Sequence, residues 1–278
     1  MFCPGSGQGG RELSMMDQSD FRLTVLGARG SVPVCRSAVF GGDTSCYLVE
    51  AGGEHVFLDA GSGLIFAPAF SGRPPVILVS HLHLDHILGL GMYPRLSEKG
   101  AVTRLRLPGS SAAEAEARLA ALFAPPFWPL PLTEYAGTLE IETLPRAFSV
   151  GDIAIDTMQG RHPGGCVIFR LRCGGKALVY VTDYEPDDAS FEALTAFSRG
   201  AALILYDAQY TRSEYEKRQG FGHSTAEKGI ELLEKSGAKR LLLIHHDPHT
   251  TDEELLRRER ELGRADVRYA RQGEEIKL

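Results

Sequence analysis

Four ligand-type residues occupy six positions at His81-Leu82-His83-Leu84-Asp85-His86, directly behind the short apolar run Val76–Ser80. A continuous apolar run of that length suits a strand buried on both faces. Imidazoles and a carboxylate at the end of such a strand are costly unless something binds them. His81 and His83 are two apart, so on extended backbone their rings point the same way. Asp85 and His86 stand just beyond, where the chain bends toward a helix, and face a neighbouring point. One short loop then supplies ligands to two metal ions a few ångströms apart. Imidazole with carboxylate suits zinc, with manganese and iron as alternatives. A surface turn carrying histidines by chance is the competing reading, and the density of ligands argues against it.

The rest of the chain supplies more strands, each ending in a loop. Phe21–Leu26, Ser45–Glu50 and His55–Leu58 read as strands, the last two joined by Gly52-Gly53 as a hairpin. Ser111–Phe123 has helical spacing behind an N-cap at Ser110 or Ser111. Pro125–Pro131 breaks that helix and exposes aromatic groups on a loop. Thr138–Leu144, Ile153–Met158, Val167–Cys173, Ala177–Thr182, Leu203–Tyr206 and Arg240–Ile244 read as further strands, with Gly174-Gly175 as a second hairpin turn. Ala226–Ser236 is an amphipathic helix, and Thr251–Leu262 a charged one whose face is solvated. No repeat of fixed period and no long linker divides the chain, so residues 21–278 read as one α/β domain.

Composition bounds the partners. Met1–Asp20 carries Gly, Ser and Gln where a secretory signal needs a charged start and an apolar run, so 1–20 reads as a disordered leader, with Met15 or Met16 an alternative start. No apolar stretch approaches the roughly 18 residues of a membrane span. Five cysteines (Cys3, Cys35, Cys46, Cys166 and Cys173) are odd in number and lack a Cys-x-x-Cys pair, which fits inert thiols in a reducing cytoplasm. A net charge of −6 argues against stable nucleic-acid binding but not against a small anionic substrate.

Further ligands stand at strand ends: Asp59, His162, Asp183 and His245. The order Asp59, His81-x-His83-x-Asp85-His86, His162, Asp183, His245 resembles the five-motif signature of the metallo-β-lactamase superfamily and spans nearly the whole chain. The resemblance implies a four-layer αβ/βα sandwich with two Zn2+ per chain at one edge, Mn2+ or Fe2+ being possible substitutes. By analogy His81, His83 and His162 hold the first ion, Asp85, His86 and His245 the second, and Asp183 bridges them. Asp59 then orients the histidine loop from behind. His246, Asp247 and His249 crowd the last motif; the family pattern selects His245, with His246 as its rival. An oxygen-reducing diiron relative would carry Glu at the position of His83.

Metal ligation says hydrolase and leaves the substrate open. Gly222-His223-Ser224-Thr225-Ala226 resembles the His-Ser-Thr motif of ribonuclease Z and related phosphodiesterases, and Asp207 stands where those enzymes carry the acid that bonds this histidine. The pair would hold the imidazole protonated and aimed at a phosphoryl oxygen or the leaving alkoxide, while a metal-bridging hydroxide, its proton steered by Asp85, attacks phosphorus in line. A surface or helix-capping histidine is the plainer reading of His223. True ribonuclease Z carries an arm that grips transfer RNA between the third-motif histidine and the bridging aspartate. Here only a hairpin's length separates His162 from Asp183.

The loops Gly27–Val34 and Gly41–Ser45 and the ending HHDPH resemble a ribonuclease-Z-like subgroup grouped loosely with cyclic-nucleotide phosphodiesterases. Phe127 and Trp128 either wall a pocket and stack on a base or pack the Pro-rich loop onto the body. The expected activity is therefore a phosphodiesterase on a small anionic substrate such as a cyclic nucleotide. The alternatives are an ester, thioester or lactam hydrolase, a tRNA 3′-processing endoribonuclease, and a non-catalytic sensor module. Edge strands and the loop 124–135 leave room for a homodimer.

Overall fold

The computed structural model describes residues 21–278 other than Arg36 and Ser71. The expected leader at 1–20, with Cys3, lies outside these residues. The described strands are β1 (Arg22–Gly27), β2 (Cys46–Ala51), β3 (Glu54–Leu58), β4 (Val76–Leu78), β5 (Val102–Leu107), β6 (Thr138–Thr143), β7 (Ala147–Val150), β8 (Ile153–Gly160), β9 (Cys166–Cys173), β10 (Lys176–Val181), β11 (Leu203–Asp207), β12 (Leu241–Ile244), β13 (Val267–Tyr269) and β14 (Glu275–Lys277). The helices are α1 (Leu84–Ile87), α2 (Ala112–Leu122), α3 (Asp188–Phe197), α4 (Arg212–Tyr215), α5 (Ala226–Ser236) and α6 (Asp252–Leu262). Two seven-stranded sheets result, in the orders β14-β1-β2-β3-β4-β5-β6 and β13-β12-β11-β10-β9-β8-β7.

Parallel pairing dictates the helices. β3 through β6 run parallel to one another, as do β10 through β13, and parallel neighbours need a crossover between them. α2, α3, α5 and α6 are such crossovers, and they cover the outer faces. The apolar residues sort into three layers by strand alternation. Leu203 and Leu205 join the cluster between the sheets, while Ile204 and Tyr206 face α3 and α5. Val76 and Leu78 point inward likewise, and Ile77 and Val79 outward under α2. Both faces of these strands are covered, which is why they read as unbroken apolar runs. The expected four-layer αβ/βα sandwich is the observed one.

Several elements differ from the sequence expectation. β5 (VTRLRL) alternates Arg104 and Arg106 with leucines, and those arginines pair with Glu140 and Glu142 on β6. α3 starts at a reciprocal cap, Asp187 accepting from the Ser190 N–H while the Ser190 hydroxyl accepts from the Asp187 N–H. No helix among the described residues is long and apolar enough to cross a membrane.

Candidate metal centre

The ligand-type residues meet at one end of the sandwich. Each stands at or just past the C-terminal end of a strand: Asp59 after β3, His81–His86 after β4, His162 after β8, Asp183 after β10, Asp207 closing β11 and His245 after β12. Three of them leave their strands by a left-handed turn, with φ of 61° at Asp59, 47° at Asp183 and 61° at His245. Such a conformation costs on the order of 1–3 kcal/mol for a residue with a side chain and persists only where its surroundings hold it.

At Asp59 the surroundings are explicit. The carboxylate is fully buried; Oδ1 accepts from the Ser80 N–H at 2.6 Å, and Oδ2 from the Ser80 hydroxyl at 2.8 Å and the Tyr180 hydroxyl at 2.6 Å. His86 Nδ1 donates to the same Oδ2 at 2.7 Å. Because the Ser80 hydroxyl donates to Asp59, it accepts from His81 Nδ1, 3.0 Å away. One carboxylate thus keeps a proton on Nδ1 of two histidines and turns their Nε2 atoms toward the cleft.

Two groups of donors face those nitrogens. In the first, the donor atoms of His81, His83, His162 and Asp183 lie within 4.8 Å of one another. His162 Nδ1 donates to the Gly222 carbonyl at 2.9 Å, so its Nε2 faces inward, 3.6 Å from Asp183 Oδ2 and 3.1 Å from His83 Nδ1. The second group is Asp85, His86 and His245. His245 Nε2 lies 3.1 Å from Asp85 Oδ2 and 3.2 Å from Asp183 Oδ1, and His86 Nε2 lies 3.1 Å from the same Oδ1. The two oxygens of Asp183 therefore face different groups.

The electrostatics are those of a cation site. Burial, with neighbouring imidazoles, pushes His81 well below the usual histidine range, and burial lowers His162 too. Around His245 burial also pushes down, but Asp183, Asp85 and Asp207 prevail and its pKa rises to about 9. Burial would raise Asp85, yet the imidazoles of His86 and His245 hold it below the ordinary carboxylate range. The carboxylates draw protons onto this second group, and a divalent cation would replace them. His81 Nε2 and His86 Nε2 are buried without a hydrogen-bond partner. Buried polar atoms are seldom left so, and with imidazole and carboxylate donors converging on them, the residues fit a divalent metal.

His246 is turned away. Its Nε2 lies 2.9 Å from the Ala270 carbonyl, its ring packs edge-on against Phe40 and Tyr269, and burial lowers its pKa to about 3. The structure brings His223 beside the cluster: Nδ1 lies 2.8 Å from Asp207 Oδ2, and the ring stacks on His245 at 4.9 Å between centroids. The His223 side chain is 11% exposed and bonded to Asp207, and it is Thr225 that caps helix α5.

The aromatic pair of the Pro-rich loop is not brought to the site. The Trp128 indole donates to the Tyr135 hydroxyl at 3.0 Å and packs edge-on against Phe123, and Phe127 is exposed. Between the two readings of this loop, packing on the body is the one the contacts match for Trp128. The recess beside the first group, about 220 Å³, is lined instead by residues including Leu82, Pro108, Arg118, Gln159, Pro163 and Val167.

Sequence reasoning missed the supports. The Ser31 N–H donates to Asp85 Oδ2 at 2.7 Å. Arg29, 1% exposed, ties this loop to the His245 loop through the Asp247 and Thr250 carbonyls. Gly30 lies against His245: a Cβ there would stand 2.4 Å from its ring. Glu185, two residues past Asp183, is buried and grips the loop before His223. The arginine in GARGS was the one visible signal, since a charged residue inside a turn of small residues invites a partner.

Comparison with known proteins agrees with this fold. The family model described as "Beta-lactamase superfamily domain" matches residues 56–246. The ribonuclease Z of Haloarcula marismortui is 25% identical, over 81% of this chain and 85% of its own. The metallo-β-lactamase fold protein YhfI of Bacillus subtilis superposes with a TM-score of 0.70 at 20% identity, covering 93% of this chain and 99% of that one. Human tRNase Z, short form, superposes at 0.63 and 19% identity, covering 92% and 98%. The chain therefore belongs to the β-lactamase superfamily domain family, as a metal-dependent hydrolase of its ribonuclease Z-like branch.

Proposed function

We propose that the protein is a phosphodiesterase for a small anionic substrate such as a cyclic nucleotide, working with two divalent cations, for which zinc suits the donors best. His81, His83 and His162 would hold one ion and Asp85, His86 and His245 the other, with Asp183 offering one oxygen to each. Bound there, such ions supply Lewis acidity and a water-derived nucleophile at neutral pH.

The observation that carries the phosphodiester reading is the Asp207–His223 pair. Asp207 is fully buried; its Oδ1 accepts from the Gln209 N–H at 3.0 Å, which fixes the carboxylate, and its Oδ2 faces His223 Nδ1 at 2.8 Å. With a proton held on Nδ1, His223 can present Nε2–H to the departing oxygen. A general acid in that position contributes roughly 10²–10⁴-fold. Asp85, held in place at Oδ2 by the Ser31 N–H, would also steer the proton of the attacking water. A carbon ester or lactam hydrolase has less need of an aspartate-held imidazole at this point.

A second reading, tRNA 3′-processing, is favoured by the ribonuclease Z similarity across most of the chain. Against it, the chain between His162 and Asp183 makes only the β9–β10 hairpin, with no arm to grip a transfer RNA, and the net charge is −6. One panel on zinc-loaded protein separates the readings: bis-p-nitrophenyl phosphate, cyclic nucleotides, a precursor transfer RNA, a thioester and a β-lactam. Turnover of the small phosphodiesters is expected. Precursor cleavage without it would transfer the assignment to RNA processing, and thioester or lactam turnover alone would reject the phosphodiester class.

A further inference from the structure

We propose that Glu185 is a positioning residue that sets the His162 imidazole for metal binding by acting through the Gly222 carbonyl. The proposal rests on the reading of His162 as a ligand of the first ion.

Glu185 is 7% exposed, and its carboxylate is spent on one loop. Oε1 accepts from the Gly220 N–H at 2.8 Å and from the Tyr215 hydroxyl at 3.3 Å. Oε2 accepts from Gly220 at 2.9 Å and from Gly222 at 2.9 Å. Its own backbone N–H donates to the Arg161 carbonyl at 2.9 Å, one residue before His162. The residue therefore grips both partners of the His162 Nδ1–Gly222 contact.

Burying a carboxylate is costly unless donors answer it, and here the answering N–H groups belong to the loop Gly220–Gly222. Gly222 has φ of 89°, and a Cβ on it would stand 2.0 Å from His162 Nδ1. Only glycine lets the backbone approach the imidazole this closely. The carbonyl that results accepts the Nδ1 proton and leaves Nε2 bare toward the first donor group. Outer hydrogen bonds of this kind tune metal affinity because they fix tautomer and ring orientation. His223 follows Gly222 directly, so the loop that orients a ligand also places the imidazole proposed as general acid.

The test uses the full chain. Zinc is titrated into chelator-treated wild type, Glu185→Ala and Glu185→Gln against a chromophoric competitor, with imidazole ¹H–¹⁵N spectra of the zinc-free proteins. Wild type is expected to bind two ions and to show His162 as the Nδ1–H tautomer. Glu185→Ala should weaken one site about 10–100-fold, leave the other at wild-type affinity and lose the fixed His162 tautomer. Glu185→Gln keeps an oxygen for the Gly220 and Gly222 N–H groups at the Oε2 position but turns its NH2 toward the Gly220 N–H, and should recover both readouts only in part. Unchanged affinity and tautomer in Glu185→Ala, or equal weakening of both sites, would overturn the proposal. If Glu185→Ala does not fold, Glu185→Asp, retracted by one methylene but still charged, is judged by the same outcomes. Fewer than two ions in wild type would instead reject the two-metal reading, and the tautomer readout would still decide the role of Glu185.

Discussion

Asparagine at position 59 changes hydrogen-bond polarity with almost no change of shape, and it tolerates the left-handed backbone there as well as aspartate does. The carboxylate accepts at both oxygens: from the Ser80 N–H on Oδ1, and from the Ser80 hydroxyl, the Tyr180 hydroxyl and His86 Nδ1 on Oδ2. An amide has one oxygen and one NH2 and cannot match that pattern in either orientation. With NH2 at the Oδ1 position it meets the Ser80 N–H, donor against donor. With NH2 at the Oδ2 position it meets three groups at once, and His86 could keep its bond only by accepting at Nδ1. That would move the His86 proton to Nε2, the atom facing Asp183. The first orientation frustrates one buried bond, at a cost of about 1–3 kcal/mol. A domain with a margin of about 5–15 kcal/mol survives this. Loosened control of His86 should also weaken the second ion about 10–100-fold, equivalent to about 1.4–2.8 kcal/mol. Urea unfolding of chelator-treated protein reads the first effect and competitive zinc titration the second. Wild-type stability together with wild-type affinity in Asp59→Asn would refute the orienting role of Asp59.

His223→Ala should lower kcat on bis-p-nitrophenyl phosphate about 10²–10⁴-fold while elemental analysis still finds both ions; normal turnover would remove His223 from the chemistry. Gly30→Ala places a Cβ 2.4 Å from the His245 ring, so zinc titration should show the second site weakened about tenfold or more and the first spared. His246→Leu strands the Ala270 carbonyl and should cost about 1–3 kcal/mol in urea unfolding, yet zinc stoichiometry should stay at wild type, because this ring faces Phe40 and Tyr269. Chelation should lower the melting temperature: a site with free zinc at about 1,000 times its Kd contributes about 4.1 kcal/mol.

The parts of the fold visible in the sequence were those where local chemistry and tertiary environment agree. Ala226–Ser236 has helical periodicity, a Thr225 cap and Gly237 beyond it, and is helix α5 with those bounds. The strands buried on both faces announced themselves as apolar runs. β5 did not, because Arg104 and Arg106, on the same face as Val76 and Leu78, pair with glutamates on β6, a neighbour that only the sheet order reveals. The short edge strands β13 and β14 depend wholly on their partners.

At the site the side chains were legible and the backbone was not. Asp59, His81, Asp183 and His245 are the residue types metal chemistry requires, whereas nothing local in the sequence marks the left-handed turns at Asp59, Asp183 and His245, a conformation that few non-glycine residues adopt. Glu185 could not have been singled out, since its partners are the N–H groups of Gly220 and Gly222 and any residue carries those. The Trp128 ring was ambiguous because burial against Phe123 and exposure to a ligand draw on the same aromatic surface.

The two-metal centre with Asp183 between its halves is tested most directly by diffraction from zinc-loaded crystals on either side of the zinc absorption edge. Two anomalous peaks per chain are expected, one among His81, His83, His162 and Asp183 Oδ2, the other among Asp85, His86, His245 and Asp183 Oδ1. A single peak, or a second ion held by His246 in place of His245, would contradict it.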